Sequence, residues 1–320
     1  MNLKDLKYVC EHAGGGLVPA LAMLHVYERD GARRAQVGNG RYTVDVPTDL
    51  PVCTVPADRL LTAWAACKDT PEATVTDANL MVKAGRVRAR VPLSDSGSYP
   101  RTDPNEQADA PPPGVAKVLS RLQPFVATDA SRPWATSVCL KGGFAYATNN
   151  VILMRIPFPA FLPFPVNVPQ VVIDAITAKG EPVGLGWSQD AVTFYFEDTT
   201  WIRTLLISGD WPTQVVDGLV DGLSEAWETP HPDLGAMLTT ASKLADARHP
   251  VIEFKDGGLR LLDAAFEADE LMPVPEAGKI NARMGALVFS QATAVQWHTP
   301  RQDVHAFKVE DIVGVFGGQR

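Results

Sequence analysis

Apolar positions recur along this chain in two rhythms. Val115, Val118, Leu119 and Leu122 follow the i, i+3, i+4, i+7 spacing of one buried helix face, and Leu234, Met237, Leu238 and Ala241 form a second such stripe. The spacing predicts first helices over Leu3–His12, Val115–Gln123 and Asp233–Arg248, and second helices over Pro56–Lys68, Pro169–Lys179 and Ala282–Gln291. Proline in the first turn suits two of the second helices, because the amide it lacks has no helical acceptor there. Between the helices, short apolar–polar alternation predicts strands, among them Ala20–Tyr27, Arg86–Val91, Ala191–Phe196, Val251–Phe254 and Ala306–Val309. Asp30-Gly31, Gly142-Gly143 and Gly257-Gly258 are hairpin signals. Short strands with one face covered by a helix pair predict an α+β fold of antiparallel sheets.

These elements come in three blocks. The first opens at Val55-Pro56, the second at Val168-Pro169 and a diverged third at Ile280-Asn281; positions 56, 169 and 281 are 113 and 112 residues apart. The first two close at Tyr99-Pro100 and Trp211-Pro212, and the third ends in Asp311-Ile-Val-Gly-Val-Phe. Arg101–Gly114 and Val220–His231 lack apolar periodicity and read as linkers. Three subdomains follow, at residues 1–110, 111–228 and 229–320, each with about two helices and eight strands and long enough for its own core. Repeats strung head to tail form arcs of a kind that closes into rings.

Composition narrows the class. Hydrophobic residues at 46% and charged residues at 21% describe a packed globular chain. No run of eighteen apolar residues and no signal-peptide core is present, so a cytoplasmic location without a membrane partner is expected. Four separated cysteines (Cys10, Cys53, Cys67, Cys139) read as buried free thiols, and the six histidines show no metal-ligand spacing, so no metal and no cofactor are expected. Nothing assembles a catalytic site either. Ser208-Gly-Asp is not a nucleophile elbow, and Gly14-Gly15-Gly16 follows a helix, where it caps a helix end and does not cradle a phosphate. The chain reads as non-enzymatic.

Charge changes the picture. The formal net charge is −8, yet Lys4, Lys7, Arg59, Lys68, Lys117, Arg121, Lys179, Lys243, Arg248 and Arg283 lie on or at the ends of the six predicted helices. Acidic residues there are fewer (Asp5, Glu11, Asp58, Asp174, Asp233 and Asp246), several in first turns where the helix dipole favours them. With the threefold repeat, this points to one basic surface on an acidic body.

Four motifs in order resemble the bacterial sliding clamps, the beta subunit of DNA polymerase III. Cys53-Thr-Val-Pro-Ala-Asp-Arg-Leu-Leu resembles the family's entry into the second helix of its first domain. Ala84-Gly-Arg-Val-Arg-Ala-Arg-Val, ending at Tyr99-Pro100, resembles its serine-glycine-arginine strand and phenylalanine-proline closure. Tyr146-Ala-Thr-Asn-Asn-Val-Ile-Leu stands where the family has valine-alanine-threonine-aspartate-glycine-histidine-arginine-leucine. Ser208-Gly-Asp-Trp-Pro stands for aspartate-glycine-arginine-phenylalanine-proline. The resemblance spans nearly the whole chain, with a shortened third subdomain as in a divergent, phage-type member.

The resemblance implies a head-to-tail homodimeric ring around duplex DNA. The ten basic residues above would face the phosphates without reading sequence. It also implies that a replicative polymerase and a clamp loader insert a short hydrophobic peptide into a cleft walled by Thr148, Val151, Ile152, Leu153, Pro212, Val216, Val313, Val315 and Phe316. Here the chain departs from the pattern: Val151-Ile152 replaces a histidine-arginine pair, Val216 a basic residue, Ala89 a large aromatic at the dimer edge, and Gly317-Gly-Gln-Arg a methionine-rich tail. A greasier, less basic cleft is expected. Ring closure is expected to pair Arg86–Val91 with the sheet edge near Val251–Phe254. Removal of Phe316–Arg320 is expected to abolish client binding and spare the ring, and glutamates at Lys117 and Arg121 to weaken DNA-dependent function. The competing reading is a non-enzymatic, β-rich virion or scaffold protein with internal repeats, which predicts neither a basic helix face nor a client cleft.

Overall fold

The computed structural model describes the chain except residues 16–17, 110, 112, 130, 159–161, 163, 224–226, 247–249, 256–257, 263–266, 269–277, 292–293, 302–303 and 318–320, and the side chains of 108–109, 267–268 and 301. Arg248, Gly16, Gly257 and the tail beyond Gly317 therefore lie outside the described residues. Seven α-helices occur among those described: α1 (Leu3–Glu11), α2 (Ala57–Ala65), α3 (Val115–Leu122), α4 (Gln170–Lys179), α5 (Thr213–Asp221), α6 (Leu234–Leu244) and α7 (Ala282–Ser290). Six match the helices that the apolar spacing predicts, and the stripe residues Leu119, Leu122, Leu234, Leu238 and Ala241 are buried. The seventh, α5, runs into the stretch whose composition reads as linker. Its buried Thr213, Val216 and Val220 follow Pro212 at the N-cap, a start signal masked by the glycines and aspartates nearby.

Two compact units emerge, residues 1–116 with 171–206, and residues 117–170 with 207–320. In the first unit an eight-stranded antiparallel sheet runs, in spatial order, Cys53–Pro56, Met23–Arg29, Ala32–Gly38, Tyr42–Pro47, Trp201–Leu205, Ala191–Tyr195, Gly184–Trp187 and Gln107–Asp109. A smaller sheet holds Glu72–Val75, Asn79–Ala84 and Val87–Pro92. In the second unit a seven-stranded sheet runs Val166–Pro169, Ser137–Lys141, Phe144–Thr148, Ile152–Pro157, Ile312–Phe316, Val304–Val309 and Gln296–Arg301. A four-stranded sheet runs Glu267–Ala268, Gly258–Leu261, Val251–Lys255 and Gly278–Asn281. The large sheets each join strands far apart in sequence: Ile202 pairs with Val44, and Leu153 with Val315.

Local chemistry explains the turns. Asp30 and Gly31 take φ of 51° and 76°, and Gly142 and Gly143 take 60° and 88°, the left-handed pair that a tight antiparallel hairpin requires. The Arg101–Gly114 stretch is not a free linker. The Gln36 amide clasps the Thr102 backbone at both ends (2.9 Å each), Asn105 N donates to Thr193 Oγ1 at 3.0 Å, and Gln107–Asp109 joins the sheet. Polar backbone-to-side-chain capture of this kind leaves no apolar periodicity to read. The Val220–His231 stretch is likewise anchored, through α5 and a bridge between Glu228 and Trp297.

Cys10, Cys53 and Cys139 are buried free thiols, as expected, with burial pushing each up to about 12; Cys67 is free and only half-buried. No helix among the described residues is long and apolar enough to cross a membrane. His25 is buried, stacked between Tyr27 and Tyr99, with Nδ1 2.8 Å from Thr54 Oγ1. Burial, and then the Arg101 charge, lower its pKa; burial also lowers that of His12. A histidine depressed in the folded state contributes stability above its unfolded pKa of about 6.5 and loses it as pH falls through the folded value. The urea midpoint is expected to drop between pH 7.5 and pH 5.5, less so in His25→Asn. An equal drop in the variant would remove His25 from the account.

Candidate partner-peptide cleft and nucleic-acid interface

The nine cleft residues that the resemblance implies lie in the second unit, on three elements. Antiparallel register sorts them. Leu153 pairs with Val315 and with Thr148, Arg155 with Val313 and with Tyr146, so these six side chains share one face of the seven-stranded sheet. Ile152 pairs with Phe316 on the opposite face, and both are fully buried at 1% exposure. Phe316 stacks on Trp297 at 5.5 Å and packs on Phe307 at 5.1 Å. Ile152 and Phe316 are thus interior residues and wall no cleft. The period of two decides it: a contiguous run of cleft residues on one strand cannot all face one side.

What does assemble on the face of Leu153 and Val313 is an aromatic cluster. Buried Cys139, Tyr146, Trp211, Val216 and Val220 pack together, with half-buried Trp134, Phe144, Leu153 and Val313 against them. Trp211 meets Trp134 edge-on at 5.0 Å and donates its indole N–H to the Trp134 carbonyl at 2.8 Å. Helix α5 lies over this face and Arg155 clamps it. The Arg155 guanidinium contacts Asp217 at 3.0 Å and Asp221 at 2.7 Å and sits 4.5 Å above the Phe144 ring. Tyr146 donates to both Asp217 oxygens, at 2.9 and 3.2 Å. Burial, then that hydrogen bond, raises the Tyr146 pKa, so the phenol stays a donor. The half-buried rim (Leu153, Val313, Trp134, Phe144), together with exposed Pro212 and half-buried Val151, offers apolar surface; Val216 lies beneath it. Thr148 is buried, its hydroxyl tied to the Ile152 carbonyl at 2.8 Å. Sequence reasoning misses the aromatic members, although two signals point to them: Trp211 closes the second block and Tyr146 opens the third resemblance motif.

The basic helix residues divide as well. In the first unit α1 packs on α2, and Lys4, Lys7, Arg59 and Lys68 are exposed, Lys7 lying 3.6 Å from Glu11. Lys179 is drawn aside: it pairs with Asp198 and sits 5.5 Å above the Tyr8 ring. In the second unit Lys117, Lys243 and Arg283 are exposed, and α6 packs on α7. Arg121 is only 13% exposed and bridges Glu310 at 3.1 Å and Asp311 at 2.7 Å, the turn of the final hairpin. Arg121 therefore serves the fold and is no free phosphate contact; a charge count along the helix does not see an acidic turn 190 residues away. Among the described residues no cluster of three or more His, Cys, Asp or Glu could hold a metal ion.

The expected dimer edge needs one correction. Val87–Pro92 is an outer strand, paired only with Asn79–Ala84 among the described residues, and Arg86, Arg88 and Arg90 are exposed. Val251–Lys255 is interior, flanked on both sides by Gly258–Leu261 and Gly278–Asn281. The outer strands of that sheet are Glu267–Ala268 and Gly278–Asn281.

Solved structures similar to this fold include bacterial sliding clamps. The DNA polymerase sliding clamp of Pseudomonas aeruginosa superposes with a TM-score of 0.81 at 16% identity, over 99% of this chain and 97% of that one. The DNA polymerase III beta subunit of Bartonella birtlesii, bound to griselimycin, gives 0.84 at 14% identity over 99% and 97%. The Helicobacter pylori beta clamp bound to a DNA ligase peptide gives 0.78 at 11% over the same shares. No protein-family model and no curated protein matches the sequence. The chain has the α+β fold of the bacterial DNA polymerase III beta sliding clamps, at 11–16% identity to these three.

Proposed function

We propose that this protein is a non-catalytic sliding clamp: a homodimeric ring of three-subdomain chains (1–110, 111–228, 229–320) that encircles duplex DNA and tethers a replicative polymerase. The observation that carries the reading is the fold match over 99% of the chain. Exposed lysines and arginines on five helices of a protein with net charge −8 support it, since enclosure needs only weak, sequence-independent attraction inside and none outside.

Closure joins the open Val87–Pro92 edge to the Glu267–Ala268 or Gly278–Asn281 edge of a second copy, because an unpaired edge of this length invites a partner strand. Ala89 adds little side-chain area there. Ala89→Phe is expected to tighten the dimer about tenfold, on the scale of one buried aromatic pair, as read by sedimentation equilibrium. A strictly monomeric parent at micromolar concentration would remove the ring.

Loaded on nicked circular DNA, the protein is expected to stay, and to slide off after linearisation. Equal retention on both forms would exclude enclosure. The client cleft is the Leu153–Val313–Trp134 rim, a surface suited to apolar anchors of an extended peptide from the polymerase or loader. The Helicobacter pylori relative carries a ligase peptide, which supports a peptide-binding role. Leu153→Asp combined with Val313→Asp is expected to reduce polymerase stimulation about tenfold or more while leaving the dimer intact. Unchanged stimulation would place the client site elsewhere.

A further inference from the structure

The first unit holds a geometric counterpart of the cleft just described. In the second unit Asn149 Oδ1 accepts from the amides of Val151 and Ile152, both at 3.1 Å, and Asn149 N donates to the Ile152 carbonyl at 3.3 Å. In the first unit Asn39 Oδ1 accepts from Arg41 and Tyr42 at 3.0 and 3.1 Å, and Asn39 N donates to the Tyr42 carbonyl at 3.2 Å. The following residue is left-handed in both, Asn150 at φ 70° and Gly40 at φ 83°. The distant strand closes on the same carbonyl: Gly317 N on Val151 O, Leu205 N on Arg41 O. Through the pairings Leu153–Val315 and Thr43–Arg203, position 203 corresponds to 315. The two closure motifs, Tyr99-Pro100 and Trp211-Pro212, complete the match.

The chemistry differs at the equivalent positions. Where the second unit has Val151, Leu153 and Val315, the first has Arg41, Thr43 and Arg203. A cavity of about 250 Å³ opens there, with Leu21, Tyr99 and Leu205 as apolar walls and Arg41, Arg203 and Thr102 as polar ones. Among the described residues no acidic side chain lines it, in a chain of net charge −8. The Arg203 Nε is buried and finds no hydrogen-bond partner among the described residues, a donor that a buried site should not leave unmet. Asp190, outside the lining, has its pKa lowered first by the hydrogen bond from Ser188 and last by the Arg203 charge. Leu205 is 46% exposed at the mouth.

We propose that this cavity is a second peptide-docking site, taking an extended partner segment in which a carboxylate side chain lies beside an aliphatic one. Guanidinium donors match a carboxylate in paired, planar geometry. The apolar walls favour a peptide over a bare anion, since a phosphate would leave Leu21 and Leu205 uncovered. The volume falls below the roughly 300–1,000 Å³ of pockets for drug-sized ligands, which suits two side chains better than a whole metabolite. The site does not depend on ring formation, because every lining residue belongs to one unit of one chain.

The test uses the full-length, 15N-labelled protein titrated with acetyl-Leu-Asp-Leu-amide, its acetyl-Leu-Asn-Leu-amide counterpart, sodium acetate and inorganic phosphate. The Asp peptide is expected to move the Arg203 Nε–H resonance saturably, and the Asn peptide to bind at least about tenfold more weakly for loss of the charge-assisted pair. Arg203→Gln and Arg41→Gln are each expected to weaken the Asp peptide by a similar factor; Arg41 sits in an exposed turn, so its variant keeps the fold if Arg203→Gln does not. Three results would each overturn the proposal: equal binding of the Asp and Asn peptides, acetate or phosphate reproducing the shift at the same concentration, or no saturation by about 10 mM.

Discussion

Phe316→Ala is expected to lower the unfolding free energy by about 3–5 kcal/mol, the usual cost of removing a buried phenylalanine. Phe316 is 1% exposed, paired to Ile152 across the sheet, and packed on Trp297 and Phe307. Gly314 makes room for this packing. A Cβ there would fall 2.1 Å from the Phe307 ring, so the aromatic crosses the strand only because position 314 has no side chain. Deleting Phe316–Arg320 is therefore expected to destabilise the second unit as a whole, and it does not test client binding in isolation. The measurement is urea denaturation followed by tryptophan fluorescence, since Trp297 loses its stacked neighbour. A loss below about 1 kcal/mol would mean that the last strand is a dispensable edge, contrary to its place between Ile152–Pro157 and Val304–Val309.

Reversing Lys4, Arg59, Lys243 and Arg283 together to glutamate is expected to shorten residence on closed circular DNA by about a hundredfold or more. The dependence on salt should flatten by about 0.9 in log–log slope for each phosphate that is no longer neutralised. All four side chains are exposed on helices. Arg121→Glu serves as the contrast. It breaks the bridges to Glu310 and Asp311, so its effect should appear as lowered stability, with residence per folded ring little changed. An unchanged salt slope in the quadruple variant would remove these helices from the DNA interface, whatever the residence time does.

The sequence is most legible where one chemical rhythm decides the structure. Helices α1 to α4, α6 and α7 fall within a few residues of their expected spans because their apolar stripes repeat over two or more turns. The tight Asp30-Gly31 and Gly142-Gly143 turns follow from their need for positive φ. Legibility fails where a distant partner decides the outcome. Arg121 and Lys179 read as free cations, yet Asp311 and Asp198 claim them. Val251–Phe254 reads as an edge because nothing in the strand itself reveals how many neighbours it has. Arg101–Gly114 reads as a spacer because Gln36 and Thr193 hold it through its backbone, which carries no residue signature. The residues that the resemblance names for a cleft do come from neighbouring strands, but they do not share one face. Val151 to Leu153 are adjacent in sequence but alternate across the sheet, and the Trp134–Trp211–Tyr146 cluster on the face of Leu153 and Val313 is built from three separate segments.

The pairing of Tyr42–Pro47 with Trp201–Leu205 bears on how the chain is made. Val44 meets Ile202 across about 160 residues. At synthesis rates of roughly 5–20 residues per second, the Tyr42–Pro47 strand emerges with a bare hydrogen-bonding edge and waits about 8–30 s for its neighbour. The first hundred residues therefore cannot finish folding as they leave the ribosome. In that interval the nascent edge is open to chaperones, and to mispairing with another nascent copy.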